Sequence, residues 1–102
     1  MQCWYFGFEG RLRDDVVKEG EYQNLYSSAM VPTSEYEEAK KQLIEELGEY
    51  GVDLIGIEDK FLYIPDDVDE SDEDNQPWIE WHAKVEISRE VDFTPWQLFP
   101  DD

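Results

Sequence analysis

The chain has 102 residues, enough for one domain with a modest core. At 40% hydrophobic and 15% aromatic its composition excludes a disordered chain, while 27 acids against 8 bases give a net charge of −19. A field of that sign repels nucleic acid and anionic membrane and favours encounter with cationic partners.

The N-terminal stretch "CWYFGFEGRL" reads as a strand. Trp4, Phe6 and Phe8 share one face and Cys3, Tyr5 and Gly7 the other, a pattern suited either to a central strand covered on both sides or to aromatics shielding an exposed face. "RDDVVKEGE" is a charged connection, and "YQNLYSSAMV" reads as a second strand, with weak alternation, closing at Pro32. The three glycines of "GFEGRLRDDVVKEG" lack the spacing and the lysine of a phosphate loop. Arg11 and Arg13 read instead as partners of nearby acids.

A helix follows in "PTSEYEEAKKQLIEELGEYG". Ser34 with Glu37 has the spacing of a capping box, and Glu37 with Lys41 that of a favourable i,i+4 pair. Tyr36, Ala39, Leu43, Ile44, Leu47 and Tyr50 form its apolar stripe, and Gly51 stands where a helix stops. "VDLIGIEDKFLYI" reads as a third strand, bent or bulged near Glu58–Asp59 where the apolar rhythm falters.

Pro65 closes that strand and opens the run "PDDVDESDEDNQPW", in which seven of the nine residues from Asp66 to Asp74 are acidic. The run resembles a calcium loop only superficially. From Asp69 the ligand register gives Ser71, Glu73 and Glu80, but glycine is replaced by Asp74 and position nine is Pro77. Catalysis needs carboxylates held in a pocket beside a base or nucleophile, and none is paired with these. Two readings remain: a solvated, mobile hairpin loop over residues 66–77 that maintains solubility, and a steering surface for a basic partner.

"WIEWHAKVEISREV" alternates like a fourth strand, with Ile79, Trp81, Ala83, Val85, Ile87 and Val91 on one side and Glu80, His82, Lys84, Glu86 and Ser88 on the other. The tail, residues 92–102, is apolar enough that part of it is expected to dock. The expected architecture is therefore a single α+β domain over residues 1–102. It has a four-stranded antiparallel or mixed sheet in the order β-β-α-β-β, with one amphipathic helix on one face. Strands two and three, if parallel neighbours, would be joined by a right-handed crossover.

Cys3 is the only cysteine, so no disulfide forms within the chain, and His82 is the only histidine, so a multi-histidine metal centre is not expected. Nothing near Cys3 lowers its pKa, and Ser27–Ser28 has no glycine-framed elbow. With no basic-then-apolar leader and no apolar run of membrane-spanning length, the expected compartment is the cytoplasm. No catalytic residue, metal or cofactor is expected.

The function expected from these residues is a non-enzymatic acidic binding protein that docks a basic protein. Immunity proteins and inhibitors that imitate the charge of DNA share this size and electrostatic logic, although no stretch matches a named family. The expected contact residues are Asp66, Asp67, Asp69, Glu70, Asp72, Glu73 and Asp74, with Trp78 as an aromatic anchor. The alternatives are an adaptor or structural subunit using exposed aromatic surface, and a small enzyme combining a carboxylate with His82.

Overall fold

The computed structural model describes residues 1–17 and 22–100. Its sheet is antiparallel throughout and is built around β1 (Cys3–Leu12). On one side β1 pairs with β3 (Val52–Tyr63), on the other with β2 (Asn24–Val31). The far edge of β2 pairs with two short strands of the tail, β4 (Asp92–Phe93) and β5 (Gln97–Phe99). The α+β class expected from the sequence is the class observed. Strands β2 and β3 run parallel to each other but are separated by β1, so the helix between them crosses over the central strand instead of joining neighbours.

Alternation on β1 sends its two sets of side chains into two different cores. Phe6, Phe8 and Leu12 pack with Leu25, Ala29 and Val31 of β2 and Val52 of β3, beneath Ala39, Leu43 and Leu47 of α1 (Tyr36–Glu49). Cys3, on the opposite face, joins Met30, Tyr63 and Val85 in a second cluster. Ser27 lies on the first, buried face, and its hydroxyl donates to the Thr94 carbonyl at 3.0 Å. Tail and β2 are thereby joined by side chain as well as backbone.

The start of α1 differs from the capping box expected. Glu35 is the N-cap and makes no side-chain cap, while the Thr33 hydroxyl accepts the Glu35 N–H at 3.2 Å. The cap thus lies one residue after Ser34, whose carbonyl accepts the indole N–H of Trp4 at 2.9 Å. Among the described residues Glu37 and Lys41 form no ion pair. At the other end Gly51 takes a φ of 73°, the left-handed conformation that favours glycine. Of the expected stripe, Ala39, Leu43 and Leu47 are fully buried, but Ile44 and Tyr50 lie near its margins and are exposed.

The irregularity expected in β3 falls at Glu58, which has no partner between the pairs Gly7–Asp59 and Phe8–Ile57. A second bulge leaves Ile55 unpartnered between Glu9–Gly56 and Gly10–Leu54. Both lie on an edge strand, where bulges blunt the unpaired backbone against further strand addition.

The segment read as a fourth strand is a helix, α2 (Gln76–Ser88). Trp78, Trp81, His82 and Val85 fall at i, i+3, i+4 and i+7, so a helical stripe was superimposed on the period-two alternation. Pro77 at the first turn supplies a helix-compatible φ without wasting a donor. The buried pair is His82 and Val85, and Ile87, assigned to the inner face of a strand, is 85% exposed. Helix α2 ties to the tail through Trp81, whose indole N–H donates to Asp92 Oδ2 at 2.7 Å, and through Lys84, 3.2 Å from Asp92. No described helix is long and apolar enough to cross a membrane.

Candidate functional site

The acidic run links β3 to α2, so it is not a hairpin loop. Neither is it a loose tether. It begins in a 3-10 turn (Pro65–Asp67) and ends in another (Glu73–Asn75) that leads directly into α2. Between them Val68 turns inward against the Cys3–Met30–Tyr63–Val85 cluster.

Two aspartates build the backbone of the run. Asp69 Oδ1 accepts the Ser71 N–H at 3.0 Å and its hydroxyl at 2.6 Å, and these bonds hold the carboxyl below its usual range. Asp72 Oδ1 accepts the Asp74 N–H at 3.0 Å and caps the second turn. Two amides then clamp the run to the helix start: Asn75 Nδ2 donates to the Asp69 carbonyl at 3.0 Å, and Gln76 Nε2 to the Glu70 carbonyl at 2.7 Å. Acids immediately before a helix also complement the positive end of its dipole. Part of the charge therefore has a local structural use.

The side chains of the remaining acids hold no backbone group. Asp66, Asp67, Glu70, Glu73 and Asp74 are exposed, and among the described residues their carboxylates make no hydrogen bond or ion pair. The structure thus divides the seven acids into two that hold the backbone and five whose side chains are uncommitted.

Trp78 sits half-buried in an aromatic group on the second face of the sheet. Its ring lies 5.0 Å from Tyr5, 5.4 Å from Phe61 and 5.8 Å from Trp81. Tyr5 in turn stacks on Phe61 at 4.7 Å, and its hydroxyl pairs with Ser28 Oγ at 3.0 Å. The sequence placed Trp78 beside the acids but gave no sign of Tyr5 and Phe61 as its neighbours, because that contact depends on β1 and β3 pairing in register.

His82, expected on a polar strand face, is 7% exposed and stacks on Tyr63 at 4.9 Å. Its Nε2 is 2.6 Å from the Met1 carbonyl and 3.5 Å from Glu86 Oε2. Cys3 is fully buried, and burial pushes its thiol up to about 11. A thiol held neutral in this way is a poor nucleophile at ordinary pH. Arg13 bonds Asp53 at 3.0 Å, as expected of a base among acids, and Arg11 donates to Asn24 Oδ1 at 3.1 Å and Gln23 Oε1 at 2.9 Å.

Two concavities frame these groups. The larger, an open groove of about 540 Å³ between α1 and β3, is lined by Tyr36, Lys40, Ile44, Asp53, Leu54 and Ile55 among others and lies away from the acidic run. A smaller cleft of about 240 Å³ lies between the run and α2, with Glu70 on one side and Glu86 on the other. No group of three or more His, Cys, Asp or Glu side chains among the described residues converges to hold a metal ion.

Comparison of the chain with protein-family models, with curated proteins and with solved structures gives no match.

Proposed function

We propose that the protein is a non-enzymatic acidic binding protein that docks a basic protein partner through Asp66–Asp74, in the manner of an inhibitor or immunity-type protein. The observation that carries this reading is the division of labour among the acids. Asp69 and Asp72 brace the backbone, and Asp66, Asp67, Glu70, Glu73 and Asp74 are left free on a braced frame. A flexible acidic loop loses conformational entropy when it binds, and a pre-ordered one avoids much of that cost. Such a segment therefore offers contact as well as steering. The exposed part of Trp78 adds an aromatic contact beside it. The net charge of −19 reinforces attraction to a cationic surface and opposes direct binding to nucleic acid. The cytoplasm, a reducing compartment, suits the single buried thiol.

A non-enzymatic role is favoured by the state of the candidate nucleophile and base. Cys3 is buried with a raised pKa, and His82 Nε2 is engaged by a backbone carbonyl.

The test is capture of partners from the source lysate at low salt and at about 0.5 M salt, where the screening length falls to about 4–5 Å. The native chain is compared with a variant whose five free acids are changed to Asn or Gln, leaving Asp69 and Asp72 to keep the fold. The expected result is a basic partner retained by the native chain at low salt and lost with salt or neutralisation. Equal recovery by the two chains would reduce the run to a solubilising role.

A further inference from the structure

The outer side of α2 carries an apolar line that the fold does not use. Ile79, Ala83 and Ile87 follow one another at i, i+4 and i+8. Ile79 is half-buried, Ala83 is exposed and Ile87 is 85% exposed. An isoleucine held in water on a helix gains no packing, and its branched side chain is a poorer helix former than lysine or glutamate. Isolated exposed apolar residues are common, but these three form one wall of the 240 Å³ cleft. Its lining also includes the buried Tyr63–His82 stack, Glu70, and Glu86, whose Oε2 is 3.4 Å from the Met1 ammonium.

A long basic side chain is the group that matches both components. Its methylenes cover apolar surface while its charged end stays among acceptors. Between lysine and arginine, guanidinium is the more weakly hydrated and presents a fork of donors, so it loses less on leaving water for a partly apolar cleft bordered by the Glu70 carboxylate. Glu86 is already met by the Met1 ammonium at 3.4 Å, so an anionic or purely apolar group would leave Glu70 facing either a like charge or no counter-charge.

We propose that the cleft bounded by Ile79, Ala83 and Ile87 of α2 and by Glu70 receives an arginine side chain of the basic protein that docks on the acidic run. This rests on the function proposed above and deepens it. The run supplies attraction and contact, and the cleft supplies the point at which one residue of the partner is selected.

The experiment uses the full chain and two short peptides, one alternating arginine with alanine and the other carrying lysine at the same positions. Binding is followed by amide chemical shifts at low salt. The variants are Ile87→Ser, which removes the apolar wall, and Ala83→Arg, which supplies a tethered occupant. Both positions are exposed, and retention of the native far-ultraviolet spectrum checks the fold. The expected result is saturable shifts centred on Ile79, Ala83 and Ile87, tighter binding of the arginine peptide, and a loss of about tenfold in its affinity in each variant. Equal affinity of the two peptides would overturn the assignment to arginine. Shifts confined to Asp66–Asp74 and identical in Ile87→Ser would overturn the cleft while leaving the acidic run as a docking surface. Failure of both peptides to bind at low salt would overturn the cleft and count against the acidic-partner reading as well.

Discussion

Replacing Trp78 with alanine tests how much of this residue belongs to the fold. The side chain meets Tyr5, Phe61 and Trp81 at ring separations of 5.0, 5.4 and 5.8 Å, and it packs against the cluster of Cys3, Met30, Tyr63 and Val85. Truncating a fully buried tryptophan costs about 3–5 kcal/mol, and each aromatic pair is worth about 0.5–1.5 kcal/mol beyond its area. Because Trp78 is half-buried, the expected loss is about 2 kcal/mol. For a domain of this size that corresponds to a fall of about 10 °C in Tm. Urea unfolding followed by far-ultraviolet circular dichroism, at one fixed salt concentration because the charge of −19 makes stability salt-dependent, gives the number directly. Trp78→Phe should recover part of the loss, since it keeps a ring against Tyr5 and Phe61. A change below about 0.5 kcal/mol for Trp78→Ala would refute the packing argument and mark the side chain as one presented to solvent.

The Cys3 thiol, raised from 9.0 to about 11 by burial, should resist a thiol reagent at pH 8 in the native protein and react once urea unfolds it. Since the folded state favours the neutral thiol, its contribution is complete below pH 9 and is lost as pH rises from 9 towards 11. The expected loss is about 3 kcal/mol, read as the difference between native and Cys3→Ala unfolding curves so that tyrosine ionisation cancels. Native reactivity equal to that in urea would contradict full burial. Gly51→Ala should cost about 2 kcal/mol, because a side chain at φ 73° is strained and its Cβ would lie 2.2 Å from Val16 Cγ2. Val16→Ala in the same chain should return part of that cost by removing the clash but not the strained φ, and thermal unfolding of the two variants separates them.

Much of the fold was legible in one dimension because it depends on local periodicity. The apolar run of Cys3–Leu12 announced a strand, though not whether both its faces are covered, and the spacing of Ala39, Leu43 and Leu47 announced a helix. The lost rhythm near Glu58 announced a bend or a bulge, and the register shows a bulge. The site was less legible. Sequence placed seven acids beside Trp78, but their separation into structural and free carboxylates required Asp69 and Asp72 to meet particular N–H groups. The cleft was invisible for a related reason: Ile87 and Glu70 come together only when α2 lies beside the run.

The segment after the run marks the boundary between what composition and pattern determine and what the third dimension decides. The chain by itself determined the α+β class, the charge of −19, and the places of the three long strands and of α1, which follow from residue type and a local period that is clear in β1 and α1, weaker in β2 and interrupted in β3. From Trp78 onward two periods coexisted, with Ile79, Trp81, Ala83, Val85 and Ile87 fitting a strand and Trp78, Trp81, His82 and Val85 fitting a helix. The tertiary structure chose between them. Met30 and Tyr63, beside Cys3 on the second face of the sheet, needed an apolar cover, and the helical stripe, with Val85 and the two tryptophans packed on that cluster, could bury against it as one surface.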